Sequence, residues 1–172
     1  MHIAAVTAPS GGALDLLLAD TAWSLIADGL RPAGLIQVNT ARAGIRRCDM
    51  DVQVLPEGQV FRISQSLGPG ARGCHLDPAG LEGAISAVRA DLAEHRPDIL
   101  IVNKFGKHEA EGRGFAGLIA DVLETGIPVL VGVNGLNRDA FENYAGGLAH
   151  VIDPDRRAVL DWIRRVTVTE PA

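Results

Sequence analysis

His2 to Gly29 reads HIAAVTAPSGGALDLLLADTAWSLIADG: an apolar run, then a turn of Pro, Ser and Gly, then leucines at helical spacing. The run His2 to Thr7 is predicted as a buried strand and Ala8 to Gly12 as the turn that leaves it. Leu14, Leu17, Leu18, Leu25 and Ile26 then recur on one helical face, and Gly29 stands where a C-terminal cap belongs. A second apolar run, Ala33 to Val38, completes a unit with the order and length of a βαβ crossover. Its two strands are therefore predicted parallel.

The same alternation continues along the chain. Val52, Val54, Phe61 and Ile63 alternate with polar residues on either side of Pro56-Glu57-Gly58-Gln59, which predicts an edge hairpin over Met50 to Ser64. The glycine-rich run Leu67 to His75 is predicted as a loop. Asp77-Pro78 supplies a cap and a first-turn proline for a helix ending near His95. Ile99 to Val102 is a continuous apolar run, the signature of a central strand covered on both faces, and the polar cluster Asn103 to Gly114 follows it. A helix through Phe115 to Leu123, a strand over Pro128 to Val133, a helical turn over Asp139 to Tyr144 and a strand over His150 to Ile152 come next. Asp153-Pro154 is predicted to start the last helix, with Val159, Leu160, Trp162 and Ile163 inward. The expectation is one α/β domain over residues 1–172: three layers, a mostly parallel sheet with helices on both faces, and a hairpin at the edge.

Composition narrows the function classes. The chain is 47% hydrophobic but only 4% aromatic, so the core must be aliphatic. A net charge of -5 argues against general attraction to nucleic acid or to an anionic membrane. No leader-like start or membrane-length run is present, which predicts a cytoplasmic protein. Cys48 and Cys74 lack metal or disulfide spacing and are expected to be reduced, with Cys74 in a packing role. The edge hairpin invites pairing with a second copy, so a homodimer is one expectation.

In a parallel sheet, ligands bind beyond the C-terminal ends of the strands, where helix N-termini present backbone N–H groups. Ser10, Gly11 and Gly12 form the first candidate, a turn able to approach a phosphate or other oxyanion. A loop that hydrolyses nucleotides needs a Lys for the terminal phosphates and a following Ser or Thr for magnesium, whereas Leu14 and Asp15 stand here. Asp15 reads equally as a ligand-site residue and as a favourable first-turn charge on its helix. The second candidate is the stretch Asn103 to Arg113, which holds both lysines of a chain whose other basic residues are all Arg. Lys104, Lys107, His108 and Arg113 are candidate anion partners, with Glu109 orienting one of them. The competing reading of that run is a solvated charged loop.

Val6 to Gly12, the hairpin around Leu55 and Gly58, Ile101 to Glu109, Phe115 and Pro128-Val129-Leu130 together resemble the P-loop nucleoside triphosphatases of the thermophile and cancer-related type. Ser64 to Leu81 and Asn103 to Phe115 are more closely similar to the bacterial proteins grouped as domain of unknown function 2478. The resemblance implies a P-loop NTPase-like fold. In the triphosphatases the second motif runs Asp-Glu-hydrophobic-Gly-Lys-Met-Glu, its two acids serving magnesium and water activation. Asn103 and Lys104 occupy those two places, while Gly106, Lys107 and Glu109 match. The unknown-function family implies a setting in molybdenum transport or molybdenum-cofactor metabolism, with molybdate or tungstate as a candidate ligand.

Three functions follow as expectations. The first is a non-hydrolysing or weakly active protein that binds a nucleotide or small oxyanion between Ser10–Gly12 and Lys104–His108. The second is a divergent nucleoside triphosphatase or phosphotransferase, with Lys104 or Lys107 on phosphate and Asp15 or Glu109 on magnesium or acting as base. The third is a regulatory domain whose cleft has become a protein contact surface. The sequence assigns no catalytic residue, no resident metal and no cofactor.

Overall fold

A computed structural model describes residues 1–9, 11–40, 49–65 and 76–167. Ser10, Cys48, Cys74 and the expected loop Leu67 to His75 lie outside the described residues. The elements run β1 (Ile3–Val6), α1 (Gly11–Ala27), β2 (Pro32–Thr40), β3 (Asp49–Val54), β4 (Val60–Arg62), α2 (Pro78–Glu94) and β5 (Ile99–Phe105). They continue through α3 (Lys107–Ala110), α4 (Phe115–Glu124), β6 (Val129–Val133), α5 (Arg138–Ala145), β7 (His150–Ile152) and α6 (Arg156–Thr167).

The strands form one seven-stranded sheet in the order β4-β3-β2-β5-β6-β1-β7. β2, β5, β6, β1 and β7 are parallel to one another. β3 runs antiparallel to β2, and β4 closes the edge as the hairpin partner of β3, with Val52 opposite Phe61. The sheet is thus the expected mostly parallel one, with its hairpin where the alternating pattern put it.

Period-two alternation divides the apolar strand residues between two layers. Ala4, Val6, Ile99, Ile101 and Leu130 pack against Leu14, Leu18 and Leu25 of α1 and Val159, Trp162 and Ile163 of α6. Ile3, Ala5, Leu100, Val102, Val129 and Val131 face α2, α4 and α5 through Ile85, Val88, Leu118, Ile119 and Phe141. Burying each such aliphatic side chain contributes roughly 1.5–3 kcal/mol, which is how a chain so poor in rings builds its core. The exception is a small aromatic cluster. Phe105 at the end of β5 lies 5.2 Å from Phe141 and 5.3 Å from Tyr144, ring centre to ring centre, and so fixes α5 over the C-terminal edge of the sheet.

Local chemistry sets the helix ends. The carboxylate of Asp77 accepts from Ala79 N at 3.0 Å, with Pro78 in the first turn, and α2 stops at His95 as its spacing predicts. α1 ends in paired bonds from Gly29 N to Ile26 O and from Leu30 N to Leu25 O. The last helix departs from expectation. It starts at Arg156 rather than beside Asp153-Pro154, because Asp155 is the residue that caps it, accepting from Ala158 N at 2.9 Å. Among the described residues no helix is long and apolar enough to cross a membrane.

Candidate functional site: a charge-inverted cluster at a strand bulge

Sequence reasoning ends the central strand at Val102 and assigns Asn103 and Lys104 to a loop. In the structure β5 continues through both to Phe105, since Phe105 still pairs with Val133 of β6. Val102 pairs with Val131 and Phe105 with Val133, so the two residues between them on β5 face the single Gly132 of β6. That is a β-bulge.

The bulge explains the direction of the polar side chains. Strict alternation would send adjacent residues to opposite faces of the sheet. With one residue in excess, Asn103 and Lys104 both reach the α1 side, and Phe105 returns to the other core beside Val102. Gly132 makes room for this: a Cβ there would lie 2.6 Å from the carbonyl oxygen of Asn103 and 2.7 Å from Leu18 Cδ1. Gly132→Ala is therefore expected to displace the bulge and to lower stability by about 1–3 kcal/mol in urea unfolding.

Four side chains meet above it. Asp15, in the first turns of α1, is buried and 4% exposed. Its Oδ1 lies 3.0 Å from the Lys104 ammonium and accepts from Asn103 Nδ2 at 3.1 Å. Gln37 Oε1, from the end of β2 beyond its pairing with β5, lies 3.5 Å from both Asn103 Nδ2 and Lys104 Nζ. Lys104 keeps a side-chain exposure of 29%, so the cluster is not sealed from solvent. Among the described residues nothing donates to Asn103 Oδ1, although it is buried.

The sequence candidates thus separate. Asp15, Asn103 and Lys104 come together at the fifth residue of α1, one turn from its Gly11–Gly12 start. Lys107 is 87% exposed and pairs with Glu111 at 3.8 Å; Arg113 also pairs with Glu111, and that hydrogen bond holds the Glu111 carboxyl below its ordinary range. His108 is half-buried and lies against Gly114. Glu109 pairs with backbone N–H groups rather than with these cations. Its Oε2 accepts from Gly106 N at 2.9 Å and its Oε1 from Phe115 N at 3.2 Å, so it ties the end of β5 to the start of α4. Gly114 closes over it with φ of 60°, and a Cβ there would stand 2.3 Å from Glu109 Oε1. Gln37 was not singled out from the sequence; its place at the C-terminal end of a parallel strand is the signal that could have found it.

Magnesium does not fit this donor set. A divalent ion wants several hard oxygen ligands, whereas the Asp15 carboxylate has an ammonium on it and Glu109 has both oxygens on backbone N–H groups. Among the described residues no three of His, Cys, Asp and Glu gather in one place.

The solution structure of a human cancer-related nucleoside triphosphatase matches all of this chain with all of its own, at a TM-score of 0.66 and 20% identity. The crystal structure of THEP1 from the hyperthermophile Aquifex aeolicus matches with a TM-score of 0.62, 14% identity and 96% of each chain covered. The fold is accordingly that of the P-loop NTPases. Molybdenum import ATP-binding protein ModC 2 of Bradyrhizobium diazoefficiens is 36% identical over 151 residues, which make up 88% of this chain and 17% of that relative. The chain spans about a sixth of that relative's length. The model of the family described as "Protein of unknown function (DUF2478)" matches residues 3–162, from β1 into α6, and the chain belongs to that family.

Proposed function

We propose that the chain binds a nucleotide or a small oxyanion at the C-terminal edge of its sheet, between the turn that opens α1 and Lys104, and holds it without hydrolysing it. The observation that carries this reading is the Lys104 ammonium, 3.0 Å from Asp15 in the first turns of α1 and borne on a side chain partly open to solvent. An ammonium beside a helix N-terminus adds a full positive charge to a place where backbone N–H groups already favour anions. The P-loop NTPase-like fold supports a phosphate-like guest, and the ModC 2 relative, named for molybdenum import and ATP binding, supports testing both a nucleotide and molybdate.

The absence of hydrolysis follows from charge. Phosphoryl transfer is accelerated mainly by cations and metal ions placed on the transferring group. In the two places that the triphosphatase resemblance gives to magnesium-serving acids stand Asn103 and Lys104, and the Lys104 ammonium is already shared with a carboxylate.

Calorimetric titration with ATP, GTP, inorganic phosphate and molybdate tests the proposal. At least one is expected to bind, and Lys104→Gln, checked as folded by circular dichroism, is expected to weaken it by about tenfold to a hundredfold, the worth of a charge-assisted hydrogen bond. Affinity unchanged by that substitution sinks the proposal. So does magnesium-dependent phosphate release at about 1 per second or faster, an ordinary enzyme rate.

A further inference from the structure

We propose that this side-chain cluster selects a tetrahedral oxyanion that still carries a hydroxyl, such as hydrogen phosphate, over ions that are fully ionised. The inference rests on the anion-binding reading above and narrows it to one ligand chemistry. It starts from Asn103, whose amide orientation is fixed by its neighbours. Nδ2 faces Asp15 Oδ1 at 3.1 Å and Gln37 Oε1 at 3.5 Å; turned over, the amide would set its own oxygen against a carboxylate. The oxygen is thereby committed as an acceptor. Asn103 is 4% exposed, and among the described residues no donor reaches Oδ1.

A buried acceptor without a donor is unfavourable, and only a donor relieves it. The rest of the cluster is rich in acceptors as well. Around the Lys104 ammonium stand the Asp15 carboxylate and Gln37 Oε1. A fully ionised dianion such as sulfate or molybdate brings only more acceptors. It can meet Lys104 and the backbone N–H groups of α1, but it leaves Asn103 Oδ1 unsatisfied and faces the Asp15 charge without a proton to place between. An ion that keeps a hydroxyl meets the same cation and can donate from its O–H as well. Hydrogen phosphate is itself a dianion, so its advantage over these ions comes from the O–H and not from net charge. A nucleotide monophosphate ester, doubly ionised above a second pKa of about 6, falls with the disfavoured ions near neutrality. The selected ligand is thus a free ion. Sites built to pair with a hydroxyl reject the analogue that lacks it, because a buried partner is then left alone.

The test uses the full chain near neutral pH, titrated with sodium phosphate, sulfate, molybdate, monofluorophosphate and AMP at matched ionic strength. Phosphate is expected to bind at least about tenfold more tightly than the other four. Monofluorophosphate has nearly the shape of phosphate but no hydroxyl when ionised, so that comparison needs no variant. In Asn103→Ala, checked for folding by circular dichroism, the preference for phosphate should shrink to about threefold or less. Sulfate, molybdate or monofluorophosphate binding as tightly as phosphate overturns the inference while the anion site survives. A preference that persists undiminished in folded Asn103→Ala overturns the role of that oxygen. If neither these ions nor a nucleotide binds at all, the anion-binding reading itself has failed, a result distinct from both.

Discussion

Glu109→Ala is expected to lower the unfolding free energy by about 3 kcal/mol or more, measured by urea denaturation, and to shift the midpoint without a comparable change in slope. The carboxylate is 4% exposed and accepts from Gly106 N at 2.9 Å and Phe115 N at 3.2 Å. Hydrogen bonds to an ionised group are worth roughly 1.5–3 kcal/mol each, and the substitution removes two and strands one buried and one partly buried donor. One of those donors opens α4 and carries the partial positive charge of a helix N-terminus, so the lost anion also stabilised the helix dipole. Glu109→Gln should cost less than Glu109→Ala, because an amide oxygen can still accept from one donor while its NH2 meets the other unfavourably. A cost within error of zero for Glu109→Ala would show that the two bonds are not formed, and would free Glu109 for the ligand role considered from the sequence.

Most of the architecture was legible because local signals agreed with the global arrangement. Asp77-Pro78 names the start of α2 by itself, since a capping carboxylate and a missing N–H suit one position in a helix. The alternation through Val52, Val54, Phe61 and Ile63 names the hairpin, because only a half-buried edge needs it. The signals failed where pairing and side-chain character disagree. Asn103 and Lys104 are polar and follow an apolar run, so they read as loop; backbone pairing to β6 resumes at Phe105, and the strand carries both residues across the bulge. No composition rule announces a bulge in a parallel pair. The same limit hid the role of Glu109, whose recorded partners are backbone groups rather than the neighbouring cations. A Glu three residues after Gly106, at the third position of a one-turn helix, was the available hint. The convergence of Asp15 with Lys104 was only partly legible: the order of strands and loops brought the first turn and the central strand to one edge, but not the inverted placement of acid and base.

That inversion gives the second large effect. Lys104→Met is expected to cost about 3 kcal/mol, because it takes the ammonium at 3.0 Å away from the Asp15 carboxylate, which has a side-chain exposure of 5%. The 29% exposure of Lys104 places the value near the lower end of the range for buried pairs. Asp15→Asn in the same chain should recover most of the loss, since the neutral amide oxygen can still accept from Asn103 Nδ2 while no charge remains to be desolvated. A double-mutant cycle in urea should then return a coupling of about 2 kcal/mol between positions 15 and 104. The recovered double variant also separates the two roles of the pair. If Lys104 is the ligand's cation, Asp15→Asn/Lys104→Met will be stable yet will have lost its anion affinity. A double variant that binds phosphate as the parent does would leave the ammonium as no more than the counter-ion of Asp15.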